Sequence, residues 1–180
     1  MWRKRIEIKD EKDRVIKDYE KSKQMTMNRA VRLLAAKPRS VEELRQRLFE
    51  KEWTNSAIIE EILEKLKEYN YLNDEQFAKS LASSKLRQKP LGKRRLKQTL
   101  SQKKLDKETV EQAIENVYEN TPEDEVIEIA IKKRLRIKGK PETREDSKKF
   151  YDYLMRQGFS YDLISSKMRE IGRFEDEINE

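Results

Sequence analysis

The 180-residue sequence contains no cysteine and no histidine. Without cysteine there is no disulfide framework, thiol nucleophile, iron–sulfur cluster or zinc–thiolate site, and without histidine the usual general base and metal ligand are missing as well. The four glycines, Gly92, Gly139, Gly158 and Gly172, stand far apart, so neither a phosphate-cradling loop nor a dinucleotide fingerprint can be written. Four glycines and four prolines in all are too few for the turns of a sandwich, barrel or large sheet. The longest aliphatic run, Leu33 to Ala36, falls far short of the roughly 20 residues that span a bilayer, and no apolar leader precedes a cleavage site. These absences predict a cytoplasmic protein without membrane, metal or cofactor, and no enzymatic activity of its own.

Charge is what the chain has in excess. Lys and Arg number 42 against 35 Asp and Glu, a net +7, and charged residues make up 43 %, where about 25 % is ordinary. Only 35 % of the residues are hydrophobic, so the core is thin. A composition rich in Glu, Lys, Leu, Arg and Ile favours helices.

An internal repeat organises the chain. Leu44, Leu48, Trp53, Thr54, Ile58, Ile62 and Leu66 are matched 52 positions later by Leu96, Leu100, Leu105, Asp106, Val110, Ile114 and Tyr118. Apolar residues fall on apolar residues, and Thr54 falls on Asp106 as a helix N-cap. A further shift of 54 carries Leu100, Leu105, Asp106, Val110 and Ile114 onto Leu154, Phe159, Ser160, Ile164 and Met168.

Within each copy the apolar spacing of three and four, with capping residues at the breaks, predicts three helices. The first unit is expected to hold helices over about 26–37, 40–51 and 55–69, with Ser40 and Glu43 as a capping box. In the second, Asn73 or Asp74 starts a helix through Arg87. Pro90 and Gly92 break the chain, a helix runs on to Lys103, and Asp106 caps the next. In the third, Pro122 suits a first helical position, Thr143 with Asp146 and then Ser160 supply caps, and residues 137–142 form the longest break. The expected architecture is all-α: three tandem three-helix repeats (25–72, 73–120, 121–172) stacked into an elongated, curved solenoid-like array. A charged extension (1–24) precedes it, with Val15, Ile16 and Tyr19 as a weak apolar face and a marginal helix at most. An acidic tail (173–180) follows, fraying from Phe174.

The basic residues are unevenly placed. From Lys79 to Leu105 the chain carries Lys79, Lys85, Arg87, Lys89, Lys93, Arg94, Arg95, Lys97, Lys103 and Lys104 with no acid among them. At about 100° per residue, Arg94 points away from Leu96 and Leu100 while Arg95 and Lys97 flank them, which leaves a basic ridge outward. A second acid-free block, Ile129 to Pro141, holds Lys132, Lys133, Arg134, Arg136, Lys138 and Lys140. Cations near helix C-termini account for part of this. A field of one sign over this length attracts phosphate or an acidic protein surface. Stacking aromatics are sparse in both blocks, which argues against single-strand binding by base stacking. Trp53, Tyr69, Tyr71 and Phe77 match the helix seams and are expected in packing. The pairs Glu42/Glu43, Glu60/Glu61 and Asp74/Glu75 are expected to cap helices or face solvent rather than to catalyse.

The segment Tyr71-Leu72-Asn73-Asp74-Glu75-Gln76-Phe77-Ala78, followed by Lys89-Pro90-Leu91-Gly92 and then Arg94-Arg95-Leu96, Leu100 and Lys103, resembles the signature of the RecX family of recombination regulators. Ala30 to Leu34 and Arg39-Ser40-Val41-Glu42-Glu43-Leu44 echo its first unit, and Arg156-Gln157-Gly158-Phe159-Ser160 its third, so the resemblance covers about residues 27–172. Asn73 replaces the usual Asp, and Lys104 stands where a Gly commonly ends the middle helix. The resemblance implies a modulator, usually an inhibitor, of the RecA recombinase. It implies binding in the groove of the RecA–DNA filament, bridging of protomers, and limits on filament extension, strand exchange, ATP hydrolysis and coprotease activity, with no enzyme activity of its own. It maps the basic middle unit onto Lys85, Arg87, Lys89, Lys93, Arg94, Arg95 and Lys97, and places Tyr71, Leu72, Asp74, Phe77, Ala78 and Gly92 in the motif, Asp74 mainly as a cap and Phe77 mainly in packing. The expected partners are the RecA filament and single- and double-stranded DNA, contacted by those cations together with Lys104, Lys132, Lys133, Arg134 and Arg136, by a monomeric protein. Two other readings stay open: a stand-alone DNA-binding protein of helix-turn-helix-like repeats, and a protein scaffold with incidental charge.

Overall fold

The computed structural model describes residue 14 and residues 16–176, with side chains through residue 170. Expectations for residues 1–13, Val15 and 177–180 lie outside the described residues. Every regular element described is an α-helix: α1 Tyr19–Ala36, α2 Val41–Phe49, α3 Ser56–Glu68, α4 Asp74–Gln88, α5 Lys93–Ser101, α6 Lys107–Asn120, α7 Glu123–Lys138, α8 Arg144–Gln157 and α9 Tyr161–Asp176. They form three three-helix repeats in tandem.

Side-chain caps set most of the starts. Asp18, Ser40, Asn55, Asn73, Asp106, Thr143 and Ser160 each accept an amide hydrogen from the first turn that follows, at 2.8–3.3 Å. Each such cap is worth about 1 kcal/mol. Five expectations shift. Thr54 does not cap α3: it is buried, its carbonyl accepts from Arg14 at 2.9 Å, and its neighbour Asn55 does the capping. Pro122 stands one residue before α7, at the cap position, with its carbonyl accepting from Glu125 and Val126. The helix expected to reach Lys103 ends at Ser101, and α7 runs on to Lys138, into the expected break. α1 begins at Tyr19, well before the expected start, and so takes in residues of the expected N-terminal extension. Its inward face carries Ser22 and Thr26, both buried, whose hydroxyls donate to the Trp53 and Ser22 carbonyls respectively; these polar residues hide the helical stripe from an apolar count.

The chain divides into two compact units. The first runs through Phe77 and also takes Lys103–Leu105. Its core is Ala30 of α1, Leu44 and Leu48 of α2, Ile58, Ile59, Ile62, Leu63 and Leu66 of α3, and Leu72. Fully burying a Leu or Ile side chain contributes roughly 1.5–3 kcal/mol, so this short seam is the main support of three small helices. Arg14 closes the end of α2, donating to the carbonyls of Phe49, Lys51 and Thr54 at 2.7–3.1 Å while its guanidinium lies 3.9 Å from the centre of the Phe49 ring. The Ser40 hydroxyl donates to the Lys103 carbonyl at 2.5 Å, and the Lys103 ammonium sits 3.2 Å from Glu43. Glu43 is thereby drawn to a lysine, and the expected box reduces to the Ser40 half. Asp74 accepts the Val41 amide hydrogen at 2.9 Å: its cap serves α2, while Asn73 starts α4.

Tyr69 and Tyr71 are 63 % and 72 % exposed, and Trp53 is 37 % exposed, against the expectation of core packing. Asn70 has φ 57°, and the left-handed turn it makes lets Tyr71 and Leu72 both donate to the Leu66 carbonyl. This reversal directs Leu72 inward and Tyr71 out, while Tyr69, just before it, is exposed at the end of α3. Phe77 is half-buried and Ala78 fully buried.

The second unit comprises Ala78–Gln102 and the chain from Asp106 on. Its buried side chains are Leu96 and Leu100 of α5, Val110, Ile114 and Val117 of α6, Val126, Ile127 and Ile131 of α7, Phe150 and Leu154 of α8, Phe159, and Ile164 of α9. Tyr118 is buried with its hydroxyl donating to the Leu91 carbonyl at 2.6 Å, and burial pushes its ionisation well above the usual phenol value.

Candidate nucleic-acid interface

Helix α5 is built as an amphipathic rod with cations on the outside. Leu96 and Leu100 are wholly buried, whereas Lys93, Arg94, Arg95 and Lys97 are exposed. Gly92 offers no side chain to cap the helix, so its first amides are satisfied from elsewhere. The Lys93 amide donates to Glu123 at 2.8 Å, that of Arg94 to the Gly158 carbonyl at 3.3 Å, and those of Arg95 and Leu96 to the Gly92 carbonyl at 3.1 Å. Lys93, Arg94 and Arg95 all lie in this first turn, at the positive end of the helix dipole, where a cation is disfavoured by about 0.3–1 kcal/mol. Local stability therefore does not account for their placement.

The first turn of α5 is seated on the end of α8. Gly92 donates its amide hydrogen to Gln157 at 2.9 Å, and a Cβ on Gly92 would lie 2.4 Å from backbone atoms of Gly158 and Phe159. Gly158 ends α8 in the left-handed conformation, φ 94°. This contact brings Arg156 of α8 beside Arg94 and Arg95, and with Gln98, Met155 and Gly158 they line an open cleft of about 510 Å³. Arg95 donates to Gln98 at 2.8 Å. The sequence alone does not mark Arg156 and Gln98 as site residues; Gly158 lies far along the chain from Gly92, and nothing local in either segment signals that they meet.

The other expected site residues spread out. Lys85 is half-buried on α4, Arg87 is exposed at its last turn, and Lys89 is exposed just beyond. Lys97 pairs with Glu111 at 2.7 Å, and its hydrogen bond holds that carboxyl below the usual range. Lys104 belongs to the first compact unit, with φ 57° and its ammonium on Gln46; α5 ends before it, and Lys104 adopts the conformation that suits the Gly common at this place. Lys132, Lys133 and Arg136 are exposed on α7, Lys132 lying 3.9 Å from Glu128. Arg134 is half-buried, its guanidinium 5.0 Å from the centre of the Tyr153 ring. It lines a separate cavity of about 540 Å³ with Lys138, Lys140, Lys149, Glu142 and Asp146. Apart from Lys103 and Lys104, which belong to the first unit, the two basic blocks lie in the second unit, where no described acid lines the α5 cleft and the α7 cavity is mixed.

The paired carboxylates are engaged in structure. Arg45 binds Glu42 and Glu60, the latter at 2.7 Å, and Glu61 accepts from Lys23 and Tyr19. Among the described residues no helix is long and apolar enough to cross a membrane.

Three family models match in order: the first three-helix domain of RecX over residues 27–66, the second over 73–114 and the third over 122–168. Curated relatives include the regulatory protein RecX of Bacillus subtilis, 31 % identical over 85 % of this chain and 57 % of its own length. Those of Clostridium beijerinckii and Clostridioides difficile are 30 % and 29 % identical, over 79 % and 83 % of this chain and 66 % and 69 % of their own. The chain thus spans from about half to about two-thirds of the relatives it matches. The crystal structure of RecX from Lactobacillus salivarius superposes with TM-score 0.72 at 25 % identity, covering 85 % of this chain and 98 % of that one. A second crystal structure, of a regulatory protein RecX, gives TM-score 0.66 at 22 % identity, covering 82 % and 71 %, and supports the fold alone. Three repeat-specific matches in the right order, on a fold of three three-helix repeats, show that the chain belongs to the RecX family.

Proposed function

We propose that this chain is a non-enzymatic, monomeric cytoplasmic regulator that binds the RecA–DNA filament and inhibits RecA, limiting its ATP hydrolysis, strand exchange and coprotease activity. The carrying observation is the outward face of α5, where Lys93, Arg94 and Arg95 crowd the positive end of a helix with no acid on that turn. Such a placement runs against helix electrostatics and suits an anionic partner. DNA phosphates are that partner in this reading, with acidic RecA surface beside them. Lys85, Arg87, Lys89, Lys97, Lys104 and the α7 cations Lys132, Lys133, Arg134 and Arg136 extend the field. If six phosphates are neutralised on duplex, log K falls against log salt with a slope of about −5.

The test is single-stranded-DNA-dependent ATP hydrolysis by the cognate RecA with this protein titrated in. Inhibition at well below one protein per RecA is expected, and joint replacement of Arg94, Arg95 and Lys97 by Glu should abolish it while helicity stays intact. No effect on active RecA at moderate salt refutes filament regulation and leaves the stand-alone DNA-binding reading; unchanged inhibition by the triple variant refutes the role of α5.

A further inference from the structure

We propose that the cleft between α5 and α8 is a seat for one phosphodiester group of a DNA strand, held by the guanidiniums of Arg94, Arg95 and Arg156 with the Gln98 amide beside them. The proposal rests on the reading that α5 faces DNA and adds to it a residue from the third repeat. Among the described residues three arginines line this cleft and no carboxylate does. Neither Arg94 nor Arg156 has an ion pair among the described residues, and Arg95 uses one nitrogen on Gln98.

Arg156 alone has an ordinary explanation, since it lies in the last turn of α8, where the helix dipole favours a cation. That explanation fails for Arg94 and Arg95, which lie at the opposite kind of helix end. Bringing all three together adds mutual repulsion that a bound anion relieves. The α5 amides do not supply the binding, because Glu123, Gly158 and Gly92 already occupy them; recognition is by side chains.

The geometry is preorganised. The Gly92 and Gly158 backbones touch, with Gly92 bonded to Gln157 and Arg94 to Gly158, so the elements carrying the arginines do not have to move together when an anion arrives, which lowers the cost of binding. Guanidinium forks match two phosphate oxygens at a time. The cleft is open to solvent and walled on one side by Met155, which suits a chain passing through with a sugar against the thioether. An extended strand then continues along Lys93 and Lys97 on the same helix.

The experiment is fluorescence anisotropy of a labelled single-stranded oligothymidylate across a salt series, with the full chain and the variants Arg156→Gln, Arg156→Lys and Lys148→Gln. Lys148 lies exposed on α8 outside the cleft and controls for loss of one charge from that helix. Arg156→Gln should weaken binding several-fold and reduce the salt slope by about 0.7–1. Arg156→Lys should keep the slope but lose affinity, because the charge remains and the fork is gone; a purely structural role would not split the two readouts. Lys148→Gln should change neither, and thermal unfolding of each variant confirms folding. Equal effects of Arg156→Gln and Lys148→Gln, or none from Arg156→Gln, overturn the seat. So does displacement of the oligonucleotide by a polyglutamate peptide from the parent protein but not from Arg156→Gln, which reassigns the cleft to an acidic protein surface. If the parent binds no oligonucleotide, the seat falls while inhibition of RecA hydrolysis judges the filament reading separately.

Discussion

Gly92 packs against the backbone of Gly158, and neither has room for a side chain: a Cβ on Gly92 would lie 2.4 Å from the Gly158 carbonyl, and one on Gly158 would lie 2.3 Å from the Arg95 amide nitrogen. Overpacking of this kind costs about 1–3 kcal/mol. Gly92→Ala should therefore lower the thermal midpoint, and Gly158→Ala should lower it further, because φ 94° adds roughly 1–2 kcal/mol of backbone strain. Gly139, at φ 74° and ψ −179°, lies in a region essentially reserved for glycine but has nothing within 4 Å of its Cβ position, so Gly139→Ala carries backbone strain without the packing clash. Equal midpoints for all three variants would contradict a close α5–α8 contact.

Asp74 reaches across to cap a helix that is not its own. Removing the acceptor of the Val41 amide hydrogen by Asp74→Ala should cost about 1 kcal/mol, whereas Glu75→Ala, at an exposed neighbour, should stay within about 0.5 kcal/mol. Chemical denaturation of the two variants measures the difference; indistinguishable midpoints would deny Asp74 this role.

Most of the fold can be read from the sequence because caps are local chemistry. Ser40, Asp106, Thr143 and Ser160 are recognisable from a few residues on either side, and the leucine and isoleucine stripes fix the inward faces. What escapes is whatever depends on distant contact or on backbone sign. Ser22 and Thr26 break the apolar pattern of α1 because their hydroxyls find carbonyls within the fold. Tyr69 and Tyr71 carry the period of a packed seam and still face solvent, Tyr69 because α3 ends at it and Tyr71 because the left-handed turn at Asn70 redirects the chain. The basic ridge of α5 is legible from charge and period alone. Its neighbour Arg156 is invisible until the two glycines are seen to touch.

Lys104 holds a left-handed conformation that penalises a Cβ, as does Asn70. Glycine relieves the strain of about 1–2 kcal/mol but loses some of it to chain entropy. Lys104→Gly is expected to raise the thermal midpoint by an amount equivalent to under about 1 kcal/mol, and Asn70→Gly by less, because Asn tolerates this region. A lower midpoint for Lys104→Gly would mean that its contact with Gln46 outweighs the strain.

Acid should unfold the protein progressively. Hydrogen bonds from Arg45 hold Glu60 below the usual carboxylate value of 4.5. Burial works to raise Glu42, but hydrogen bonds from Gln46 and Arg45 outweigh it and hold it low; the Thr109 hydroxyl and amide do the same for Asp106. A carboxyl with a folded value below its unfolded one stabilises the native state above the unfolded value and loses that contribution as pH falls through the folded one. The thermal midpoint should be flat between about pH 6 and about pH 8, where no histidine titrates, and should decline below about pH 4.5. Glu60→Gln should make that decline shallower. A midpoint unchanged down to about pH 3 would refute the assignment.

The residues Lys103–Leu105, which follow α5 in the chain, complete the compact unit built around α2. Ser40 spends its hydroxyl hydrogen on the Lys103 carbonyl and Glu43 its charge on the Lys103 ammonium. The repeats are therefore interleaved rather than serial, and a cut made where one sequence copy ends does not release a finished piece. A fragment stopping at residue 72 would leave the start of α2 without these partners and without the Asp74 cap. Dissection of this chain into single working repeats has to follow the spatial seam, which enters the second copy twice.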